Sequence, residues 1–254
     1  MTGRHFFKGP SVYAAKENPG GTEMELIDGL KKAIDMILSG DPEVLAITWL
    51  TLKVCLFSIL ISTLIGLPLG IFLGLTRFRG RRVLLLFINI GLGLPPVVAG
   101  LWITMLLWRS GPLGDLTLLY SPTAIVMAQV LVSLPIVTSL TCSAFQQISE
   151  KMLLQIKALG ATKLQTLMIL IKQLKIAILA AVMAGFGRVI AEVGAAMMVG
   201  GNIQGDTRIL TTTIVMEVSK GNFDIALALS FILLSVALLI TAALTYLQQR
   251  KRIS

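Results

Sequence analysis

Long apolar runs separated by short polar segments dominate the chain. Five of these runs are long enough to cross a bilayer, which takes about 20 residues at 1.5 Å of helix rise per residue. The runs lie at about residues 46–75, 83–108, 123–145, 177–199 and 225–247. The pattern therefore predicts an all-α membrane protein with five transmembrane helices, within a membrane domain over residues 43–254.

A shorter amphipathic segment precedes the first span. Over residues 24–42, apolar side chains recur at helical spacing and charged side chains take the opposite face. Because this segment is too short and too charged to span, we expect a helix at the membrane surface. Residues 1–23 are rich in Gly and Pro and lack this periodicity. We interpret them as a disordered extension, or as a non-native start ahead of Met24.

Composition and charge support the membrane class. The chain is 55% hydrophobic and only 14% charged, whereas charged residues make up about a quarter of an ordinary soluble domain. Lys and Arg concentrate in residues 76–82, in residues 150–175 and after residue 247. The positive-inside rule places these segments and the C-terminus in the cytoplasm, and five spans then place the N-terminus outside. No basic patch interleaved with aromatic residues indicates a nucleic-acid partner.

Two polar or irregular features lie within the spans. Pro95-Pro96 interrupts the second span, and non-helical backbone at membrane depth is tolerated only inside the protein or along a cavity. We therefore interpret Pro95 and Pro96 as candidates for the pore or its gate, with a simple packing kink as the alternative. Arg188 and Glu192 lie four residues apart in the fourth span, and thus on one face of a continuous helix. They form either a structural ion pair or part of a translocation path, in which Arg188 would help an anion to pass.

The longest polar segment between two spans covers residues 150–173. Apolar residues at helical spacing reach Leu159, the pattern breaks at Gly160-Ala161, and it resumes at Leu164. Glycine accepts a positive φ, so it permits a sharp turn between two short helices. The segment predicts a cytoplasmic helix–turn–helix projection that docks a soluble partner. An interfacial helix that packs only on the bundle is the alternative.

These segments resemble a known family. Residues 159–162, Leu-Gly-Ala-Thr, match the cytoplasmic loop of ABC importer permeases, although the family's E-A-A positions hold Leu-Gln-Ile at 154–156. Residues 187–203, GRVIAEVGAAMMVGGNI, resemble the R-x3-E-x-G-A…G-N segment of oxyanion permeases, and residues 205–212 extend the match. The resemblance is greatest to tungstate permeases, with molybdate and sulfate permeases close by.

The resemblance implies an architecture and a set of partners. The fold would be that of a type I ABC importer permease, with a coupling helix between spans three and four. A homodimer in a prokaryotic inner membrane, surrounded by lipid, would work with ABC ATPase subunits and an extracytoplasmic oxyanion-binding protein. The residues implied in ATPase coupling are Glu150, Lys157, Leu159, Gly160 and Ala161. Those implied at the outer mouth, on a polar connector over 202–224, are Asn202, Thr207 and Arg208.

The chain itself is predicted to be a transport subunit rather than an enzyme. It has no G-x4-G-K-[ST] phosphate loop, so ATP and Mg would bind to the partner ATPase. It has one histidine, His5, and two cysteines within apolar runs, so we expect no metal site and no cofactor. We predict translocation of an oxyanion, with tungstate first and molybdate, sulfate or another anion as alternatives. A secondary transporter that works without ATP is the alternative from another class.

Overall fold

The computed structural model describes residues 29–37 and 39–253, and over these ranges the regular structure is helical, without strands. The all-α class predicted from the apolar runs is confirmed. The predictions for residues 1–23 and for the first part of the surface helix lie outside the described residues. The helices are α1 (29–37), α2 (Pro42–Leu75), α3 (Arg81–Leu92), α4 (Pro96–Leu107), α5 (Pro122–Gln146), α6 (Glu150–Ala158), α7 (Lys163–Gln173), α8 (Lys175–Ile190), α9 (Gly194–Gly200), α10 (Leu210–Lys220) and α11 (Phe223–Ile253).

Three single helices are long and apolar enough to cross a membrane. They are α2, α5 and the part of α11 up to Tyr246. Two further spans are possible only as bent pairs, in which α4 is bent by 107° from α3 and α8 by 65° from α7. The described residues thus contain three to five candidate spans by length and composition, and the predicted number is reached when each bent pair counts as one.

The closest helix pair in the bundle is α2 with α5. A Cβ added to Gly70 of α2 would lie 2.7 Å from the carbonyl oxygen of Thr138, so the two backbones are almost in contact. Small residues permit this approach in membrane helices. Buried hydrogen bonds cross the same interface, since the Ser58 hydroxyl donates to the Gln129 amide oxygen at 2.8 Å. The pair therefore forms a rigid centre on which the other helices pack.

The break predicted near Pro95-Pro96 is confirmed. Helix α3 ends at Leu92, and α4 begins at Pro96 with Pro95 as its extended N-cap residue. A proline is tolerated in the first turn of a helix, where its missing N–H would have had no partner. The residue before a proline avoids the α region, so Pro95 cannot continue a helix into Pro96.

The prediction of one continuous helix over residues 177–199 is wrong. Helix α8 ends at Ile190 and α9 begins at Gly194. The Oε1 atom of Glu192 accepts the N–H of Ala195 at 2.8 Å, so this carboxylate caps the new helix. Because Glu192 lies in the break, it does not share a helix face with Arg188, and no ion pair joins the two in the described structure.

The connector expected over residues 202–224 contains a helix that the sequence analysis did not predict, α10. The Thr212 hydroxyl accepts the N–H of Ile209 at 3.1 Å and so caps the start of this helix. Gly221 ends it with a φ of +82°. The three threonines at 211–213 are buried rather than solvated, so this part of the connector packs within the bundle.

Helix α1 packs on the same end of the bundle as α10. A Cβ on Gly29 would lie 2.7 Å from Leu227 of α11, and Ala33 is buried. Lys32 donates to the Asp224 carboxylate, which fixes the helix to the start of α11. Leu30 and Ile34 remain about half exposed, so the helix keeps an apolar surface outside the bundle.

Candidate coupling and translocation sites

Helices α6 and α7 form a two-helix projection at the end of the bundle where α2 and α5 finish. The Ser149 hydroxyl accepts the N–H of Met152 at 3.3 Å and begins α6. Thr162 and Gln165 exchange side-chain and backbone hydrogen bonds, which is a capping box at the start of α7. Both helices therefore begin where local sequence signals dictate, on either side of a turn over residues 159–162.

The turn is the most exposed part of this projection. Gly160 has a φ of +75°, so the positive φ expected from the sequence is confirmed, and an added Cβ would meet nothing within 4 Å. The Leu159 side chain is 87% exposed. Ala161 packs at the base of the turn, beside the buried Ile156 and Leu170. A large apolar side chain held in the open by a braced turn is suited to docking in a pocket of another protein.

Glu150 and Lys157 lie on the surface of α6. Glu150 is 3.8 Å from Arg77, measured between Oε1 and Nη2, and both side chains are about nine-tenths exposed. An exposed pair of this kind contributes little stability. Lys157 lies in the last turn of α6, where its charge complements the helix dipole. Both groups are accessible to a partner, and their part in coupling stays a prediction.

The exposed faces of α2 and α8 differ in chemistry. On α2 the exposed residues include Leu56, Leu60 and Leu64, as expected for a helix against lipid. On α8 the exposed positions after Lys175 recur at helical spacing and are small, namely Ala180, Ala184 and Gly187, and the exposed C-cap residue Ala191 continues the row. We call this set the small-residue face of α8. This face lacks the bulky apolar side chains that α2 exposes, so its chemistry differs from that of a helix surface in contact with lipid.

Arg188 lies beside the small-residue face of α8 and is partly buried. No hydrogen bond or ion pair joins its guanidinium to another residue that the structure describes. A charge within a membrane helix is costly unless it meets a partner or a water-filled space. Within the described residues, the donors of this guanidinium therefore remain available.

The structure brings together two helix breaks that the sequence analysis treated separately. A Cβ on Gly194 would lie 2.8 Å from the Val97 side chain, one residue after Pro96. The break at Pro95-Pro96 therefore meets the break that contains Glu192. Glu192 is 3% exposed, and its backbone carbonyl accepts the Thr211 hydroxyl at 3.0 Å. The breaks thus form a packed junction of α4, α9 and α10, and Glu192 serves there as a cap.

The outer-mouth candidates lie at the opposite end of the bundle from the projection. Thr207 is 1% exposed, and its hydroxyl donates to the Gly200 carbonyl while it accepts the N–H of Ile203. The amide oxygen of Asn202 accepts the Thr212 hydroxyl at 2.8 Å. Both side chains already form hydrogen bonds to neighbouring residues. These bonds stabilise the loop but leave the two side chains little capacity to bind a ligand.

Arg208 is the outer candidate that reaches a cavity. It lines a space of about 300 Å³ with Glu43 and Gln204. Its Nη1 donates to Glu43 Oε1 at 3.1 Å, and Gln204 donates to the same oxygen at 2.9 Å. Sequence analysis missed Glu43, since it is 165 positions from Arg208 and nothing in its neighbourhood marks it. Among the described residues, no group of three His, Cys, Asp or Glu is placed to hold a metal ion.

Comparison with known proteins agrees with these features. The family model for "Binding-protein-dependent transport system inner membrane component" matches residues 66–253. The chain is 38% identical over 227 residues to the tungstate uptake system permease protein of Peptoclostridium acidaminophilum, covering 89% of this chain and 100% of that protein. It is 35% identical over 212 residues to the corresponding protein of Campylobacter jejuni, covering 84% and 89%.

A solved structure supports the fold independently. In the crystal structure of a bacterial alginate ABC transporter in complex with an alginate pentasaccharide-bound periplasmic protein, one chain matches with a TM-score of 0.73. The match has 16% sequence identity and covers 91% of this chain and 88% of that chain. The permease fold is thereby confirmed, and the family model and the two tungstate permeases confirm the role of transport subunit. The chain belongs to the family of binding-protein-dependent transport system inner membrane components, the permease subunits of ABC importers.

Proposed function

We propose that the protein translocates a divalent oxyanion, most specifically tungstate, which an extracytoplasmic binding protein delivers. The observation that carries this substrate is the similarity to two tungstate permeases over more than four-fifths of the chain. An anion needs a positive or dipolar path but must leave it again. One guanidinium within the span, that of Arg188, meets this need better than a cluster of charges, which would hold the anion too tightly.

The driving force comes from ATP bound with Mg to partner ATPase subunits. We assign the docking contact to the turn over residues 159–162, because Leu159 is exposed there without a partner in this chain. Pockets that accept one large apolar anchor dominate the energetics of protein interfaces. Movement of the ATPases would reach the bundle through Ile156 and Leu170, which pack the projection onto Phe145 of α5.

The permease works as a homodimer in this proposal. The small-residue faces of α8 from two copies lie across a shared central path, so that neither face meets lipid. The contrast between this face and the leucine-rich face of α2 supports the arrangement. Each copy contributes one Arg188 beside the path. Cross-linking of Ala184→Cys should join two chains, whereas Leu64→Cys on α2 should give no dimer, and the reverse pattern would contradict the arrangement.

The orientation follows from charge. The projection with the adjacent Lys175, residues 76–82 and the C-terminus together carry 12 of the 22 cations, so they lie in the cytoplasm, and the N-terminus lies outside. Single cysteines at Lys157 and at Gln204 should then react with an impermeant thiol reagent from opposite sides of sealed vesicles, once Cys55 and Cys142 are replaced by serine. Labelling of both from one side would refute the orientation.

Calorimetry of the cognate binding protein tests the substrate. Tungstate should bind at least tenfold more tightly than molybdate or sulfate, which corresponds to about 1.4 kcal/mol. A preference for molybdate or sulfate would identify that anion, rather than tungstate, as the substrate. A preference for a neutral solute would overturn the oxyanion proposal altogether.

A further inference from the structure

A basic cavity lies where α2 and α5 end and α6 begins. Its volume is about 550 Å³, within the range of small-ligand sites. Arg77 and Arg81 line it together with Gln146 and Glu150. The transport proposal uses neither arginine, so the cavity needs its own explanation.

The cavity lies at the level where the hydrocarbon ends. The uncharged part of α2 runs from Val54 to Leu75, which is about 33 Å at 1.5 Å per residue and matches the thickness of the hydrocarbon core. At the other end of this stretch, Lys53 lies over the ring of Trp49 at 5.2 Å, an arrangement typical of a membrane interface. Arg77 therefore lies at the depth of the opposite lipid headgroups.

The two arginines have donors available for an anion. The Nε of Arg81 donates to the Leu73 carbonyl at 2.8 Å, which positions its guanidinium at the cavity wall. No hydrogen bond in the described structure uses its two Nη atoms. Arg77 makes only the 3.8 Å exposed contact with Glu150, and a pair of that kind contributes little. Paired guanidinium groups are the preferred ligands of phosphate.

An apolar surface adjoins the basic wall. Leu75, Phe72 and Phe78 are 37%, 51% and 40% exposed. The two phenylalanine rings pack with their centroids 5.4 Å apart, and Phe78 directly follows Arg77 in the chain. Leu75 lines the cavity, whereas the two rings lie outside its lining, so hydrocarbon attached to a bound anionic group would leave the cavity past Leu75 to reach them.

We propose that this cavity binds the headgroup of an anionic phospholipid, with the phosphate between Arg77 and Arg81 and an acyl chain over Phe72 and Phe78. Basic pockets between helices at a membrane interface suit such headgroups. Glu150 competes with the phosphate for Arg77 and is the first residue of α6. Lipid binding therefore frees the start of the coupling projection from its contact with the 76–82 loop. This proposal does not depend on which anion is transported.

Native mass spectrometry of the purified full-length chain tests the proposal. Phosphatidylglycerol and phosphatidylcholine are added in equal amounts, and the bound lipid is counted. The wild type should retain phosphatidylglycerol selectively, and Arg77→Gln and Arg81→Gln should each lower retention at least fivefold. Arg79→Gln and Arg82→Gln are matched controls, since they remove the same charge from the same loop outside the cavity, and they should retain it. Glu150→Gln should raise retention.

The outcomes separate this site from its alternatives. Equal losses in all four arginine variants would show general attraction to a basic loop and would overturn the proposal. Displacement of the lipid by millimolar inorganic phosphate or glycerol 3-phosphate would identify a soluble phosphate as the ligand, and would also overturn it. Because Arg81 supports the Leu73 carbonyl, its variant can fail through misfolding. Arg77→Gln avoids this problem, and unchanged retention in a folded Arg77→Gln protein would refute the site.

Discussion

The two ends of the bundle are built in opposite ways. At the end with the projection, the turn over residues 159–162 exposes Leu159 almost completely and leaves free space around Gly160. At the other end, the loop over residues 201–209 buries Thr207 and pairs the side chains of Thr207 and Asn202, although Gln204 and Asp206 remain exposed. Within the described structure, the projection presents Leu159 without a partner, whereas the outer loop satisfies most of its buried polar groups, the Nε of Arg208 being the exception.

The difference indicates where partners act on the permease. A turn that carries an unsupported apolar side chain gains stability when another protein covers it. A loop held by internal hydrogen bonds offers a more rigid surface, on which we expect a binding protein to dock mainly by shape and charge. We therefore expect force to enter at the projection and the outer loop to serve as a rigid mouth. Four predictions test this contrast, in order of decreasing effect.

The largest effect is expected at the turn of the projection. A β-branched residue is strained at a positive φ by about 1–2 kcal/mol, so Gly160→Val should change the turn and lower ATP-driven uptake at least about tenfold. The measurement is uptake together with co-purification of the ATPase. Gly221→Val is the matched control, because Gly221 has a φ of +82° and equally free surroundings at the outer end. This variant should transport nearly as well as the wild type. Equal losses of uptake in both variants would contradict the proposed difference between the two ends of the bundle.

The second effect concerns the path between the two ends. Arg188→Gln should lower the rate of uptake about tenfold, because one charge-assisted contact to the anion is lost. Arg188→Lys should retain part of the rate, since it keeps the charge. Initial rates at saturating binding protein provide the measurement. Full activity in the Arg188→Gln variant would show that the guanidinium has only a structural role.

The third effect is on the stability of the outer loop. Thr207→Val keeps the shape of the side chain but removes two buried hydrogen bonds, so it should destabilise the protein by about 1–3 kcal/mol. Thermal unfolding in detergent measures this change. Ser219→Ala removes an exposed hydroxyl at the same end and should leave the melting temperature almost unchanged. Equal melting temperatures for both variants would refute the view of a self-supporting loop.

The smallest effect is a pH dependence beside the same loop. Hydrogen bonds from Asn222 and then Lys220 hold the pKa of Glu217 below its ordinary value. A lowered pKa means that this stabilisation is complete above the usual glutamate pKa of about 4.3 and disappears as the pH falls through the lowered value. Glu217→Gln should therefore cost about 1 kcal/mol at neutral pH and nothing in strong acid. A difference that stays constant from pH 7 to pH 3 would contradict this assignment.

Local signals predicted much of the fold and part of the site. The apolar runs indicated the helical class, Pro95-Pro96 indicated the first break, and Gly160 between two helical patterns indicated a turn with positive φ. Each of these features depends on a few neighbouring residues, so the sequence contains it directly. The capping box of Thr162 and Gln165 is also a local signal, but it was recognised only in the structure.

The features that were missed depend on distant contacts. Residues 187–199 have an unbroken helical pattern, yet α8 ends at Ile190 because Glu192 caps the next helix and Gly194 packs against Val97. Helix α10 was missed because its three threonines are typical of a polar connector in the sequence. In the structure they are buried against other helices. The pairing of Arg208 with Glu43 spans 165 positions, and a single sequence holds no record of such a contact.

Uptake of tungstate into proteoliposomes tests the central claim most directly. The permease is reconstituted with its ATPase and binding protein. The tungstate concentration inside the vesicles is then measured with and without ATP on the side of the membrane that carries the ATPase. The account predicts accumulation above the external concentration only when ATP and the binding protein are both present, with the Gly160→Val permease failing to accumulate. Accumulation driven by an ion gradient without ATP would identify a secondary transporter and would contradict the account.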